Sequence, residues 1–496
     1  MTSAYGALEA RFARLDGIDG ALAVLNWDYA TVMPDGGAAA RGEQQATLKS
    51  LSHEILSAPE VQDDLAAAAD DPGLDDWQRA NLREMRRRHV RACALPSDLV
   101  AAMARTVAQS EMVWRGARED SDFARLRPSL QGVLRLVREE AQGYADRLGT
   151  SPYAALMDGY EPGLTPERVD ALFTPLVETL PDLLDRVLEH QAGMAVPVEP
   201  DGVFPVEIQR AFAKNLMAAV GFDFAHGRLD ESHHPFCGGV PDDIRITTRW
   251  EVDNPARGLM GVLHETGHAL YEAGRPRAWR GQPVGEARGI VAHESQSLLV
   301  EMQACRSAEF IAYLGPALQA AYDRPEPAFA PGNLLRLYTR VARSFIRVDA
   351  DEVTYPLHVI LRHRLEQDMI EGRLDVADLP EAWNAGMVAL LGVTPPDDRR
   401  GCLQDIHWPG GAFGYFPCYT LGALMAAQLY QAACAAVPDI PLELAHGRFE
   451  PLVAWLRAHV HAQGSRLTLD ELVETATGAP LGAEPFLDHL RRRYLG

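Results

Sequence analysis

Two histidines four residues apart, with a glutamate beside the first, are the residues of this sequence best suited to hydrolytic chemistry. His264, Glu265 and His268 lie in the segment GLMGVLHETGHALYE at residues 258–272. Positions i and i+4 share one helix face, so the two imidazoles can bind one zinc ion. Glu265 is placed to take a proton from water and pass it to a leaving amine. The alternative is a helix with two hydrogen-bonded histidines and a surface glutamate.

A catalytic zinc ion also needs a third protein ligand. The HExxHxxGxxH pattern is excluded, because Tyr271 and Gly274 occupy the positions of its glycine and last histidine. The remaining candidates are downstream glutamates, namely Glu272, Glu286, Glu294 and Glu301. Glu272 is better placed to support a ligand than to be one. The spacing favours Glu294, since a glycine-rich turn before it lets a second helix pack against the first.

The elements that must position these residues are predicted to be almost entirely helical. Thr165 caps the start of one long amphipathic helix, Pro166 occupies its first position, and Pro175 is expected to bend it. Helical spacing of apolar residues predicts further helices at 4–26, 40–57, 76–92, 97–148, 206–220, 286–314, 332–345, 355–371 and 419–436.

Strand signals are rare, and the best of them precedes the metal helix. Apolar Ile244, Ile246 and Trp250 alternate with polar residues over 244–250. We therefore expect a small β-sheet beside the active site.

Composition narrows the partners and the compartment. The formal charge of −22 argues against nucleic acid or an anionic membrane as a partner. Residues 1–14 lack the apolar stretch of a secretion signal, and no apolar run approaches the roughly 20 residues of a membrane span. Six cysteines without a CxxC pair indicate reduced thiols. These features predict a cytoplasmic protein.

Short motifs recur in one order along nearly the whole chain. They lie at residues 25–28, 33–34, 160–163, 234–236, 243–247, 264–268, 293–296, 346–351, 401–408, 414–417 and 486–488. Each motif alone is weak, but in this order they resemble the carboxypeptidase Taq family of metallocarboxypeptidases.

The resemblance implies a large all-α metallopeptidase fold with a long substrate groove. Residues 1–496 would form a single domain, with two helical lobes flanking the groove as the finer expectation. It also implies Glu294 as third ligand, zinc as the usual metal, cobalt as a working substitute, and a homodimer. The implied reaction removes single residues from the C-termini of peptides with broad specificity.

An exopeptidase must recognise a free C-terminal carboxylate, and a guanidinium can pair both of its oxygens. Arg347 and Arg245 lie in motifs that match the family. Arg347 is assigned to the carboxylate and Arg245 to a second clamp. The alternative is an ordinary ion pair of Arg347 with Asp349 or Asp351.

Four further residues offer hydrogen-bond donors. His407 and Tyr415 are assigned to catalysis, since a His or Tyr donor can stabilise an oxyanion. His234 and Tyr419 are assigned to substrate binding. The alternative is that His407 packs a loop and that the tyrosines are core aromatics.

Together the residues and the resemblance predict a zinc-dependent carboxypeptidase acting on peptides with a free C-terminus. An endopeptidase or dipeptidase on a related helical zinc scaffold is one alternative. An inactive peptide-binding protein on the same fold is the other.

Overall fold

The computed structural model describes residues 3–323 and 327–496, and most of them are helical. The α-helices are α1 (Ala4–Thr31), α2 (Ala38–Ser57), α3 (Pro59–Ala69), α4 (Asp76–Ala92), α5 (Ser97–Asp120), α6 (Phe123–Leu148), α7 (Pro152–Met157), α8 (Pro166–Ala192), α9 (Val206–Val220), α10 (Pro255–Gly274), α11 (Gly289–Leu298), α12 (Ala308–Ala321), α13 (Pro331–Tyr338), α14 (Tyr355–Ile370), α15 (Leu379–Leu391), α16 (Pro417–Ala436), α17 (Ile440–Leu444), α18 (Glu450–His459), α19 (Leu469–Thr477) and α20 (Glu484–Leu495). The prediction of a predominantly helical fold with a small sheet is confirmed.

The chain divides into two compact units. The first unit contains residues 1–92, 196–338 and 425–481, and therefore α1–α4, α9–α13 and α17–α19. The second unit contains residues 93–195, 339–424 and 482–496, and therefore α5–α8, α14, α15 and α20.

A three-stranded sheet in the first unit packs against α10. Its strands are β1 (Gly227–Glu231), β2 (Phe236–Val240) and β3 (Asp243–Thr248), in the order β1-β3-β2. The central strand β3 runs parallel to β1 and antiparallel to β2. It buries Ile244 and Ile246 on either side of Arg245, as the alternation predicted, but Thr247 and Thr248 are buried as well and the strand ends before Trp250. The outer strands escaped prediction because GRLDE and FCGGV show no clear apolar alternation.

The predicted long helix of the second unit is α8. The Thr165 side chain accepts a hydrogen bond from the Arg168 amide, and Pro166 occupies the first turn, as the capping pattern predicted. The helix continues through both Pro175 and Pro181. Its apolar face, including Leu176 and Leu180, is buried.

Three predicted helices were wrong in extent. The run 97–148 is two helices, because Ser121 adopts a φ of 56° after α5 and Asp122 caps α6. The run 286–314 begins only at Gly289 and contains a π-helical segment, Leu299–Cys305, before α12 starts afresh. The run 332–345 ends at Tyr338. Short helices such as α7 and α17 were missed, since few residues carry their periodicity.

Within the described ranges, no helix combines the length and apolarity needed to cross a bilayer. All six cysteines carry free thiols, and Cys305, Cys402 and Cys418 are buried.

Candidate metal centre

Helix α10 presents two imidazoles on one face. Its apolar residues Leu259, Val262, Leu263 and Leu270 are buried against the rest of the first unit. His264 and His268 are four residues apart and so lie one turn apart on a common face of the helix, with ring centroids 5.0 Å from each other. The helix is thus anchored by its core face, while its histidines converge on one point.

Glu294 of α11 joins the two histidines. Ligand atoms of His264, His268 and Glu294 all lie within 4.8 Å of one another. The Glu294 carboxylate is 3.7 Å from Nε2 of His268. Helices α10 and α11 approach closely because Gly267 has no side chain to separate them. These three residues are the group that can hold a metal ion among the described residues.

Hydrogen bonds fix the orientation of both rings. Nδ1 of His264 lies 2.9 Å from the Glu301 carboxylate. Nδ1 of His268 lies 3.0 Å from the His293 carbonyl oxygen and donates to it. In each ring Nδ1 is thereby engaged, which leaves Nε2 to act as the ligand atom.

The other downstream glutamates have different partners. Glu272 accepts from His293 at 2.9 Å and from Arg275 at 2.6 Å. Glu286 pairs with Arg88. Glu301 is held by His264 and Arg306. The structure therefore separates the four candidates that spacing alone left open, and it places Glu294 with the two histidines.

The donor set suits a divalent metal ion. Two imidazoles and one carboxylate are the protein ligands of one class of catalytic zinc site, which keeps a further position open. Burial alone would lower the pKa of His264, but the Glu301 hydrogen bond and the carboxylates of Glu294 and Glu265 raise it to about 10. The raised pKa indicates that the electrostatic potential at the site is negative. The same negative potential favours the binding of a metal cation.

Glu265 follows His264 on α10, is 7% exposed and interacts electrostatically with His264 and Glu294. Burial raises the pKa of Glu265 to about 7, and the positive charge of His264 only partly opposes this. A carboxylate with a pKa near neutrality is matched to proton transfer at neutral pH. Its role as general base stays a prediction.

The second unit contains a separate cluster around Arg347. Arg347 is 5% exposed, and its Nη2 lies 2.8 Å from Oδ1 of Asp405. The alternative prediction, an ion pair of Arg347 with Asp349 or Asp351, was therefore wrong, because the partner is Asp405. Asp351 instead accepts from the backbone amides of its own turn, including those of Val353 and Thr354.

Three other predicted site residues lie beside Arg347. The Arg347 guanidinium is 5.0 Å from the Tyr419 ring, and Nε2 of His407 is 3.4 Å from the Tyr419 hydroxyl. The Tyr415 ring lies 5.7 Å from His407. Burial lowers the pKa of His407 to about 4, since Arg347 and Arg362 offset the opposing effect of Asp405. His407 is therefore uncharged at neutral pH.

Arg245 lies on β3 of the first unit's sheet, and His234 lies in the loop between β1 and β2. Nη2 of Arg245 is 2.6 Å from Asp243, and its guanidinium lies 4.3 Å from the Trp27 ring centroid. Arg228, its register partner on β1, lies over the same ring at 4.8 Å. His234 is exposed between β1 and β2. Neither residue belongs to the metal-binding group of the described residues.

Sequence reasoning missed the roles of Glu301 and Asp405. Glu301 was weighed only as a ligand, although it follows Glu294 by seven residues and so lies on the same helix face. Asp405 sits in a motif that carried the resemblance, between Gln404 and His407. No local sequence pattern predicts that Glu301 contacts His264 or that Asp405 pairs with Arg347.

Comparison with known proteins gives a consistent result. Residues 7–494 match the family model described as carboxypeptidase Taq (M32) metallopeptidase. Thermostable carboxypeptidase 1 of Thermus thermophilus is 39% identical over 494 residues, covering 96% of this chain and 94% of the relative. Thermostable carboxypeptidase 1 of Pyrococcus furiosus is 35% identical, with 98% and 97% covered. The solved structure of Trypanosoma cruzi metallocarboxypeptidase 1 is 40% identical, covers 99% of both chains and superposes with a TM-score of 0.97.

Proposed function

The chain belongs to the carboxypeptidase Taq (M32) family of metallopeptidases, and from that premise we propose that it is a zinc carboxypeptidase releasing single residues from peptide C-termini. Metallocarboxypeptidase activity follows from the family and from relatives of 39% and 40% identity over nearly the whole chain. The observation that carries the proposal within the molecule is the convergence of His264, His268 and Glu294 beside Glu265.

His264, His268 and Glu294 would hold the metal, which we take to be zinc, with cobalt as a substitute. The two-imidazole, one-carboxylate donor set supports zinc, since harder cations favour oxygen ligands alone. A zinc ion supplies Lewis acidity toward a carbonyl oxygen and lowers the pKa of water.

Glu265 acts as general base and then as general acid. It takes a proton from the water whose oxygen attacks the scissile carbonyl carbon. It then delivers that proton to the amine as the carbon–nitrogen bond breaks. His407 and Tyr415 are assigned to stabilise the oxyanion by donating hydrogen bonds, a role supported by the neutral state of His407.

Arg347 is assigned to the substrate's terminal carboxylate, which would set the cut one residue from the end. Its guanidinium is positively charged and lies among aromatic rings, where a carboxylate finds little competing water. Tyr419, beside Arg347, is assigned to the same end of the substrate. Arg245 as a second clamp and His234 as a substrate contact are further parts of the proposal.

The remaining parts of the proposal concern the whole molecule. Residues 1–496 would form one metallocarboxypeptidase domain, supported by a family match over residues 7–494. The enzyme would act in the cytoplasm, supported by six free thiols. It would work as a homodimer on peptides with a free C-terminus, without nucleic acid or membrane partners.

The proposal is tested by mass spectrometry of an unstructured peptide incubated with zinc- or cobalt-loaded protein, beside a C-terminally amidated copy. We expect a ladder of single-residue losses from the free C-terminus only. Cuts in both peptides would assign an endopeptidase, and no cuts in either would assign a peptide-binding protein. Relatives named carboxypeptidases favour neither alternative.

A further inference from the structure

Asp405 divides its two carboxylate oxygens between two buried arginines of the second unit. Oδ1 accepts from Nε and Nη2 of Arg347 at 3.2 and 2.8 Å. Oδ2 accepts from Nε of Arg362 at 2.7 Å and lies 2.6 Å from its Nη2. One carboxylate thus holds two like-charged guanidinium groups that would otherwise repel each other.

Arg362 is the most deeply buried charged residue of this cluster. Its side chain is 0% exposed, and its Nη1 donates to the His358 carbonyl at 2.8 Å. Its guanidinium also lies 4.5 Å from the Trp383 ring centroid. Arg362 is therefore enclosed by protein, and its ion pair with Asp405 helps to hold that carboxylate in place.

Arg347 uses three of its five N–H donors in hydrogen bonds. Its Nε and Nη2 hydrogens on the side edge face Asp405, and one Nη1 hydrogen reaches the Tyr355 hydroxyl at 2.7 Å. A guanidinium carries five N–H donors. Among the described contacts, one hydrogen on Nη1 and one on Nη2 are left. Those two hydrogens suit the two oxygens of a carboxylate.

The net charge of the cluster also favours the binding of a carboxylate. Arg347 and Arg362 contribute two positive charges, and Asp405 contributes one negative charge. Burial lowers the pKa of His358 to about 3 and that of His407 to about 4, so both are neutral. Glu366, one turn from Arg362, accepts hydrogen bonds from Tyr153, Trp408 and Gly414, so its hydrogen-bond partners are not the two arginines. Within the group of Arg347, Arg362 and Asp405, one positive charge is left over, and one carboxylate would balance it.

We propose that Asp405, stiffened by Arg362, is a positioning residue that turns Arg347 so that its end-on N–H pair faces the substrate carboxylate, with Tyr355 as the second anchor. The proposal rests on the function assigned to Arg347 above. Asp405 does not touch the substrate. Asp405 instead orients the guanidinium of Arg347, which binds the substrate.

Asp405→Asn tests this proposal by the sign of the change in KM. The substitution removes a negative charge, so simple electrostatics would tighten the binding of an anionic peptide end and lower KM. Loss of positioning would instead raise KM. We expect KM for a free-carboxylate peptide to rise about tenfold, the size typical of a lost charge-assisted hydrogen bond, with kcat within about twofold of wild type.

Asp397→Asn is the matched control. Asp397 forms an ion pair with Arg400 at 2.7 Å in the same stretch of chain, but that arginine is half exposed. The control should leave both KM and kcat unchanged. An unchanged or lowered KM in folded Asp405→Asn protein would overturn the proposal.

Tyr355→Phe provides a second route in case Asp405→Asn does not fold, as judged by circular dichroism. It removes only the hydroxyl that accepts from Arg347 and should raise KM about threefold at constant kcat. An unchanged KM would overturn the proposal. Failure of the underlying function has a different signature, because wild-type protein would then cleave both the amidated and the free peptide, or neither.

Discussion

Gly267 lies directly against the backbone of Gln296, and a Cβ at position 267 would come within 2.5 Å of the Gln296 carbonyl oxygen. The same Cβ would lie 2.6 Å from the α-carbon of Ser297. Both contacts are with backbone atoms, which cannot rotate away. This contact sets the distance between the helix that carries His264 and His268 and the helix that carries Glu294.

Gly267→Ala should therefore weaken metal binding as well as the fold. The added methyl group must push α11 away from α10, at a cost of about 1–3 kcal/mol in the free energy of unfolding. We expect a lower metal content after dialysis and a lower melting temperature. Gly261→Ala is the control, since a Cβ there meets nothing within 4 Å and should be neutral or slightly stabilising. Equal metal affinity in both variants would refute the spacing argument.

Glu265→Gln should keep the metal and lose turnover. The ligand group of His264, His268 and Glu294 remains, while the group that takes the proton is gone. Loss of a general base costs roughly 10²–10⁴-fold in kcat. Metal content by elemental analysis and kcat on a free-carboxylate peptide are the two measurements. A near-normal kcat would contradict the assigned mechanism.

Glu301→Gln should lower metal affinity without removing a ligand. The Glu301 carboxylate holds Nδ1 of His264 at 2.9 Å and so orients the ring and strengthens Nε2 as a donor. Loss of such a partner typically weakens metal binding by about 10–100-fold. Competition with a fluorescent chelator measures the change. Glu309→Gln, at an exposed position of α12, should bind metal like wild type.

Removal of the metal should lower the melting temperature of the wild-type protein. A ligand that binds only the folded state stabilises it by about 4 kcal/mol when present at 1,000 times its Kd. Calorimetry with a chelator, followed by added zinc, should show a reversible shift. Glu294→Ala should show little or no shift, because one of three converging ligands is missing. A full zinc-dependent shift in that variant would argue against Glu294 as a ligand.

Acidification should destabilise the first unit through His461. This ring is buried, packs on Gly274, and its Nε2 lies 2.9 Å from the Gln296 side-chain oxygen. Burial lowers the pKa of His461 to about 3. The unfolded chain, with a histidine pKa near 6.5, therefore binds a proton that the folded chain does not. The contribution of uncharged His461 to the free energy of unfolding is therefore fully present above about pH 6.5. Below that pH it falls by about 1.4 kcal/mol per pH unit.

Urea unfolding at pH 7.5 and pH 5 measures this loss. His461→Gln should reduce the pH dependence of the unfolding free energy by an amount of that order. His53→Gln, at an exposed position, is the control and should leave the dependence as in wild type. An identical pH dependence in all three proteins would show that His461 is not a source of the effect.

Much of the site was predictable because it is local in sequence. The i, i+4 spacing of His264 and His268 fixes their common helix face, whatever surrounds them. The Thr165 cap and a strand that includes Ile244 and Ile246 are likewise local, and the structure confirms both. Helix ends were less predictable, since Ser121 ends α5 through a positive φ that its residue type does not announce.

Local pattern alone determined that the chain is mostly helical and that one helix presents a metal-binding pair with an adjacent base. Only the tertiary structure decided which glutamate joins that pair at the candidate metal position. Glu272 and Glu286 have other partners, and Glu301 contacts Nδ1 of His264 instead of lying in the three-residue group. It also decided that Arg347 pairs with Asp405 rather than with its near neighbours. Such pairings depend on which helices pack together, and packing is the sum of many contacts between residues far apart in sequence.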